Sequence, residues 1–243
     1  MKKTFLVCTL CFSLIGSLLT SLNCQTMDEI RNEMIQAQGG KAAIEKIKDM
    51  KVTGTIEVSQ QGLNVPFTQY KKEPDKRRIE MKVMDTVQVQ VFDGEKAWEL
   101  NSQTGKAVEI LGEDAVDIKR GSLALTWILD PEKYGISLVH KGREKIDGKY
   151  YIVLEQVYSD GGKVINYLDP ETYLIFKIKS KILDEMMVEV ETETFLSDYK
   201  SVKGYVMAHT MISYLHGKEY MRILFKKVKL NTRLPNHLFF IQK

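Results

Sequence analysis

The chain has 243 residues, 44% of them apolar and 28% charged, a balance that excludes a disordered chain, a collagen-like repeat and a coiled coil. Its cysteines are Cys8, Cys11 and Cys24, so beyond residue 24 a disulfide framework, a thiolate metal site and a cysteine nucleophile are excluded. The formal charge is +3, and setting aside Lys2 and Lys3 leaves a body within one charge of neutrality, which gives no electrostatic case for nucleic acid or anionic lipid.

Met1, Lys2 and Lys3 form a basic head, and Phe5 to Leu19 is a nearly unbroken apolar run. That run is shorter than the roughly 20 residues a spanning helix needs, and residues 1–24 read as an export signal. Leu22-Asn23-Cys24-Gln25 leaves two alternatives: simple cleavage after Cys24, the reading preferred here, or lipidation of Cys24 and anchoring to the membrane. Next, Met27, Ile30, Met34 and Ala37 recur at helical spacing, and Gly39-Gly40 stops that helix. A second, shorter helix is expected over 41–48.

From Lys51 the period changes from 3.6 to 2. Val52, Gly54, Ile56 and Val58 alternate with Thr53, Thr55 and Glu57, the signature of a half-buried antiparallel strand. Similar runs occupy 65–72, 77–83, 86–92, 96–100 and 106–111, separated by turn signals such as Pro74-Asp75, Asp93-Gly94 and Thr104-Gly105. Residues 113–134 lack strict alternation and read as one or two short helices ending at Asp130-Pro131. Strands resume at 136–146, 149–158, 162–168, 173–183, 186–197, 205–215 and 218–230, with turns at Asp147-Gly148, Asp160-Gly161, Asp169-Pro170, Asp184-Glu185 and His216-Gly217. The tail from Asn231, with its apolar run Leu238 to Ile241, is expected to pack against the end of the sheet.

No linker interrupts this pattern, so residues 25–243 are expected to form one domain, mainly β with some α. So many meandering strands imply an incomplete, strongly curved antiparallel β-barrel. Leu174, Phe176 and Ile178 are expected on one face, with Ile175, Lys177 and Lys179 on the other. The apolar concave face needs a cover, and the helices at the N-terminus and at 113–129 are the available lid. A lidded concave face is a natural hydrophobic cavity. Its candidate lining is Ile79, Met81, Val89, Val91, Trp98, Leu125, Trp127, Leu129 and Phe176.

Signals for catalysis are weak. His140, His209, His216 and His237 show no metal-ligand spacing, and no nucleophile elbow, phosphate loop or dinucleotide fingerprint is present. Glu189, Glu191 and Glu193 alternate along one strand opposite Lys177, Lys179 and Lys181, which reads as a solvated charge ladder rather than a catalytic carboxylate pair. No metal, no cofactor and no catalytic residue is expected.

Several short segments carry a family resemblance: Pro74-Asp75-Lys76-Arg77-Arg78-Ile79-Glu80; Phe92-Asp93-Gly94-Glu95-Lys96-Ala97-Trp98 with Asn101; Asp147-Gly148-Lys149-Tyr150-Tyr151; Tyr167 to Leu174 around Asp169-Pro170; and Asp198-Tyr199-Lys200, Gly204-Tyr205 and Asn231. In these, over about residues 27–241, the chain resembles the LolA/LolB-like superfamily of periplasmic outer-membrane lipoprotein carriers and receptors. The resemblance implies a half-barrel with a helical lid whose cavity shields the acyl chains of a lipid or lipoprotein, without catalysis, in the periplasm. Trp98 matches the family's tryptophan, whereas Glu73 stands where carriers have an arginine. The expected function is therefore an exported, carrier-like lipid-binding protein that grips by apolar contact. The alternative is an envelope scaffold using the same fold to bind a protein partner.

Overall fold

The computed structural model describes residues 25–59, 61–101, 103–183 and 188–241. Residues 1–24, expected as an export signal and holding the three cysteines, and the expected turn at Asp184-Glu185 lie outside them.

Helix α1 (Met27–Ala37) starts at a capping box: the Glu29 amide donates to Thr26 Oγ1 at 3.3 Å and the Thr26 amide to Glu29 Oε2 at 2.8 Å. Gly39 ends it with φ of 104°, and a Cβ there would overlap the Gly204 carbonyl, so glycine is required twice over. Helix α2 (Lys41–Glu45) follows, and Ile30, Met34, Ile44 and Ile47 are buried.

Six strands come next: β1 (Asp49–Val58), β2 (Leu63–Lys72), β3 (Lys76–Val83), β4 (Thr86–Phe92), β5 (Ala97–Leu100) and β6 (Ala107–Ile110). An inserted segment then holds α3 (Gly112–Ser122) and two 3₁₀ turns, Trp127–Leu129 and Glu132–Tyr134. Seven more strands follow, β7 (Ile136–Ile146), β8 (Lys149–Tyr158), β9 (Lys163–Leu168), β10 (Ile175–Leu183), β11 (Glu189–Val202), β12 (Tyr205–Leu215) and β13 (Lys218–Leu230), and after them a tail with a 3₁₀ turn, Asn236–Phe239. Strand β11 runs past the expected end at 197. Asp198 takes φ of 54° without shifting the register, since Ser197 opposes Thr210 and Tyr199 opposes Ala208, and the turn itself is Lys203-Gly204 with φ of 52° and 89°.

All strands form one antiparallel sheet in the order β6-β5-β4-β3-β2-β1-β13-β12-β11-β10-β9-β8-β7. It is two meanders joined where β1 pairs with β13. Edges β6 and β7 do not pair with each other, so the sheet is open.

Residues directly opposed on neighbouring strands share a face, so the register sorts the side chains. On the helical face lie Val52, Phe67, Ile79, Ile152, Leu154 and Leu168, packed with Ile30, Ile44 and Ile128 into the main buried cluster. On the opposite face of the first meander the tail covers Val89 and Val91 with Leu234 and Phe239. The tail thus lies across β3 and β4 rather than at the end of the sheet. Asp49, 4% exposed, fastens it: its carboxylate accepts the amides of Thr232, Arg233 and Leu234 and the Thr232 hydroxyl, at 2.6–3.3 Å.

The opposite face of the second meander carries the charge ladder, with Lys177–Glu193 at 3.0 Å, Lys179–Glu191 at 3.2 Å and Lys181–Glu189 at 2.6 Å. Here the expected alternation fails at one point. A bulge between Ile175 and Lys177 turns Phe176 to the same side as Lys177, where it stacks on Tyr151 at 4.5 Å and meets Phe195 edge-on at 5.4 Å. Lys177 is buried rather than wet, its ammonium 4.4 Å from the Tyr167 ring centre.

Candidate ligand-binding face

The helical face is built differently in its two halves. In the first meander β1, β2 and β3 present Val52, Ile56, Phe67, Ile79 and Met81, and Gly54 leaves room for the tilted rings of Phe67 and Phe225, 6.0 Å apart. In the second meander the same face becomes polar between Leu154 and β12. Asn166 donates to Gln156 at 3.4 Å, Ser180 and Thr192 share a hydrogen bond of 3.0 Å, and Thr194 and Ser213 one of 2.9 Å. The apolar surface is therefore concentrated on β1 to β3, on β13 with Ile223, Phe225 and Val228, and at the start of β8.

The inserted segment packs against the main cluster of this face. Leu125, Trp127 and Leu129 are partly buried against the main cluster, and Ile128 is wholly buried. Glu73, in the turn after β2, clasps the segment. Its Oε1 accepts the Leu125 amide and its Oε2 the Thr126 hydroxyl, both at 2.8 Å, and that hydroxyl is 3.3 Å from the Tyr134 phenol oxygen. Burial pushes the Glu73 carboxyl above its usual range, against the pull of Thr126, Leu125, Lys71 and Lys48. A cleft of about 410 Å³ opens beside the clasp between Lys48, Pro74, Leu129 and Lys133.

Helix α3 packs Ala115 and Ile118 on Phe92, Ala97 and Ile110. At its far end Arg120 grips Asp160, in the turn between β8 and β9, through two hydrogen bonds of 2.9 and 3.1 Å. Below this helix the helical face carries a directly opposed pair, Lys71 on β2 and Arg77 on β3. Burial, and then the Arg77 charge, pull the Lys71 ammonium down to about 8, with Glu73 acting the other way.

Of the nine residues expected to line a cavity, five belong to or pack against one buried cluster: Ile79 and Met81 on the sheet, and Leu125, Trp127 and Leu129 on the inserted segment. Val89, Val91 and Trp98 stand on the opposite face, because Ile79 is opposed to Gln90 and Val91 to both Arg78 and Trp98. Phe176 is also opposite, through the β10 bulge. Alternation shows which residues share a face within a strand but not which strands agree; only the register supplies that. The clasp and the Lys71–Arg77 pair were missed, although Lys71-Lys72-Glu73-Pro74 is a dense charge signal.

The motifs behind the resemblance are fasteners of turns. The Asp93 carboxylate accepts the amides of Glu95 and Lys96, both at 2.8 Å, and the Trp98 indole N–H at 2.9 Å. Asp169 accepts the Glu171 and Thr172 amides and the Lys149 ammonium. Asn231 accepts the Lys48 amide and donates to the Lys46 carbonyl, each at 2.8 Å. Among the described residues no group of His, Cys, Asp and Glu side chains is arranged to hold a metal ion.

No family model and no curated protein sequence matches the chain. Solved structures do. A protein domain from Vibrio parahaemolyticus, described as outer membrane lipoprotein-sorting, superposes with a TM-score of 0.59 at 18% identity, covering 85% of this chain and 94% of that one. A LolA superfamily protein from Nitrosomonas europaea gives 0.61 at 12% identity, covering 89% and 98%. A DUF1329 family protein from Desulfovibrio piger gives 0.61 at 13%, covering 88% and 98%. In its fold, over most of its length, this chain is similar to LolA-superfamily and outer membrane lipoprotein-sorting domains.

Proposed function

We propose that this is a non-enzymatic, exported lipid-binding protein, carrier-like, that holds the acyl chains of a lipid or lipoprotein between the apolar helical face of β1 to β3 and the inserted segment. The observation that carries this reading is the way the segment is attached: Leu125, Trp127 and Leu129 pack against the same buried cluster as Ile79 and Met81, and the polar connection at the near end is the Glu73 clasp. A cover held by apolar contact and a few hydrogen bonds is one that an acyl chain can displace and replace. Each methylene buried contributes about 0.8 kcal/mol, offset by the ordering of the chain and the opening of the cover.

Curling of the sheet into a half-barrel belongs to the same proposal. Helix α3 packs on β4 and β5 and is tied to the β8–β9 turn through Arg120. Strands β4 and β9 are eight spacings apart in the sheet, roughly 38 Å if flat at about 4.8 Å per strand. An eleven-residue helix is only about 16 Å long, which favours a sheet that bends around it. Residues 1–24 would deliver the protein to the periplasm as a cleaved signal, or anchor it if Cys24 is lipidated.

The second reading, an envelope scaffold for a protein partner, is favoured by the aromatic row Tyr151, Phe176, Phe195 and Tyr214 on the face away from the helices. Native mass spectrometry with lipid extraction separates the two. The carrier reading expects a stoichiometric lipid that is lost in Trp127→Asp and kept in Trp98→Ala, because only Trp127 lies over the apolar face. A lipid-free protein that purifies with a stable protein partner, released by Phe195→Ala, would replace the first reading by the second.

A further inference from the structure

Lys71 and Arg77 are opposed across β2 and β3 on the helical face, within the same rows as Phe67, Gln69, Ile79 and Met81. Two cations side by side on a covered apolar face repel each other, and desolvation opposes the charge of both. Among the described residues neither forms an ion pair within 4.0 Å, and the Arg77 Nε is buried without a hydrogen-bond partner. Glu73 influences Lys71 but has both carboxylate oxygens engaged by Leu125 and Thr126. From above, α3 brings Gly121 against the guanidinium: a Cβ there would come within 3.2 Å of Arg77 Nη1, so the helix leaves that side chain its space.

We propose that Lys71 and Arg77 form the polar end of the ligand site and bind the anionic group, a carboxylate or a phosphate, of an acyl-chain amphiphile whose chain lies along Ile79 and Met81. This rests on the carrier reading and amends it: the grip is apolar along the chain and ionic at its end. A guanidinium and an ammonium on directly opposed residues of neighbouring strands offer the donors that such an oxyanion takes. The body's near-neutral charge does not oppose this, because the attraction is local and desolvated rather than long-ranged.

The test uses the purified, delipidated protein and calorimetric titration with oleate, lysophosphatidylglycerol and uncharged monoolein, with acetate and inorganic phosphate as chainless anions. At least one anionic amphiphile is expected to bind about tenfold or more tightly than monoolein, and which of the two leads identifies carboxylate or phosphate. In Lys71→Gln/Arg77→Gln that ratio is expected to fall to near one with monoolein affinity unchanged. Equal binding of all three amphiphiles, or a ratio that survives the double change, overturns the proposal and leaves the carrier reading intact. Failure of all three to bind overturns both, and a chainless anion binding as tightly as the amphiphiles overturns the proposal. As a separate measurement, Lys71→Met and Arg77→Met are expected to keep or raise Tm; a fall in both, or failure to fold, makes the pair structural and overturns the ligand role.

Discussion

Replacing Asp49 by Ala removes the common acceptor of three amides and one hydroxyl and leaves those donors at a buried junction. A loss of about 2–4 kcal/mol is expected from the stranded donors and the lost charge-assisted bonds, read as a lower denaturant midpoint. Faster proteolysis confined to the tail should accompany it, since Leu234 and Phe239 are placed by that carboxylate. Unchanged stability would mean the tail is held by its apolar contacts alone. Gly54 makes a complementary case: a Cβ there would overlap the Leu224 carbonyl and press on the Phe67 ring beside the β1–β13 bulge. Gly54→Ala should cost about 1–3 kcal/mol by overpacking, whereas Gly62→Ala, with open space around it, should show only the strain of its φ of 62°.

Among the elements, the inserted segment is held in part by a titratable group, and its pH response follows from the Glu73 carboxyl. Because burial raises that pKa in the folded protein, the folded state favours the protonated form. The resulting stabilisation is fully present below the unfolded value and is lost as pH rises through the folded one. Glu73→Gln should therefore flatten the stability profile above about pH 4.5, with little loss at pH 7. Glu73→Ala, which strands the Leu125 amide and Thr126 hydroxyl, should cost about 1–3 kcal/mol and speed amide exchange at Leu125 and Thr126. A Glu73→Gln profile as steep as the wild type would show that the clasp is not the titrating group. Lys71 acts in the opposite direction: its lowered pKa contributes stability that is present above the unfolded value near 10.5 and lost as pH falls through about 8.

At the scale of the whole molecule, the two meanders meet only where β1 pairs with β13, yet one buried cluster draws Ile79 from the first and Ile152, Leu154 and Leu168 from the second. Neither half can bury its apolar face without the inserted segment and the helices at the start of the chain. Heat unfolding is accordingly expected as one transition with equal calorimetric and van't Hoff enthalpies. Two resolved peaks would mean that the meanders fold independently. The β1–β13 ladder joins the two ends of the described chain, so folding should be slow for the size of the domain.

The sequence by itself determined the strands, most turns and the extent of the helical insertion, because alternation, glycine at positive φ and capping are local properties. It also determined the charge ladder, since Glu189, Glu191 and Glu193 share a face with Lys177, Lys179 and Lys181 as the two-residue period requires, and pair with them diagonally across β10 and β11. The motifs that carried the resemblance were legible for a related reason: Asp93 and Asp169 bond mostly to atoms a few residues away, so they report turns of the fold and leave function open, whereas the Asn231 bonds to Lys46 and Lys48 join distant parts of the chain. Which apolar rows share a face was decided only by the tertiary structure. Val89, Val91, Trp98 and Phe176 left the expected lining because registers across separate strands, and one bulge before Lys177, set their side. The Glu73 clasp and the Lys71–Arg77 pair emerged only there as well, since each joins residues whose proximity depends on strand pairing or on the path of the insertion. A period in sequence fixes alternation within a strand; the free energy of burying one common face fixes the agreement between strands.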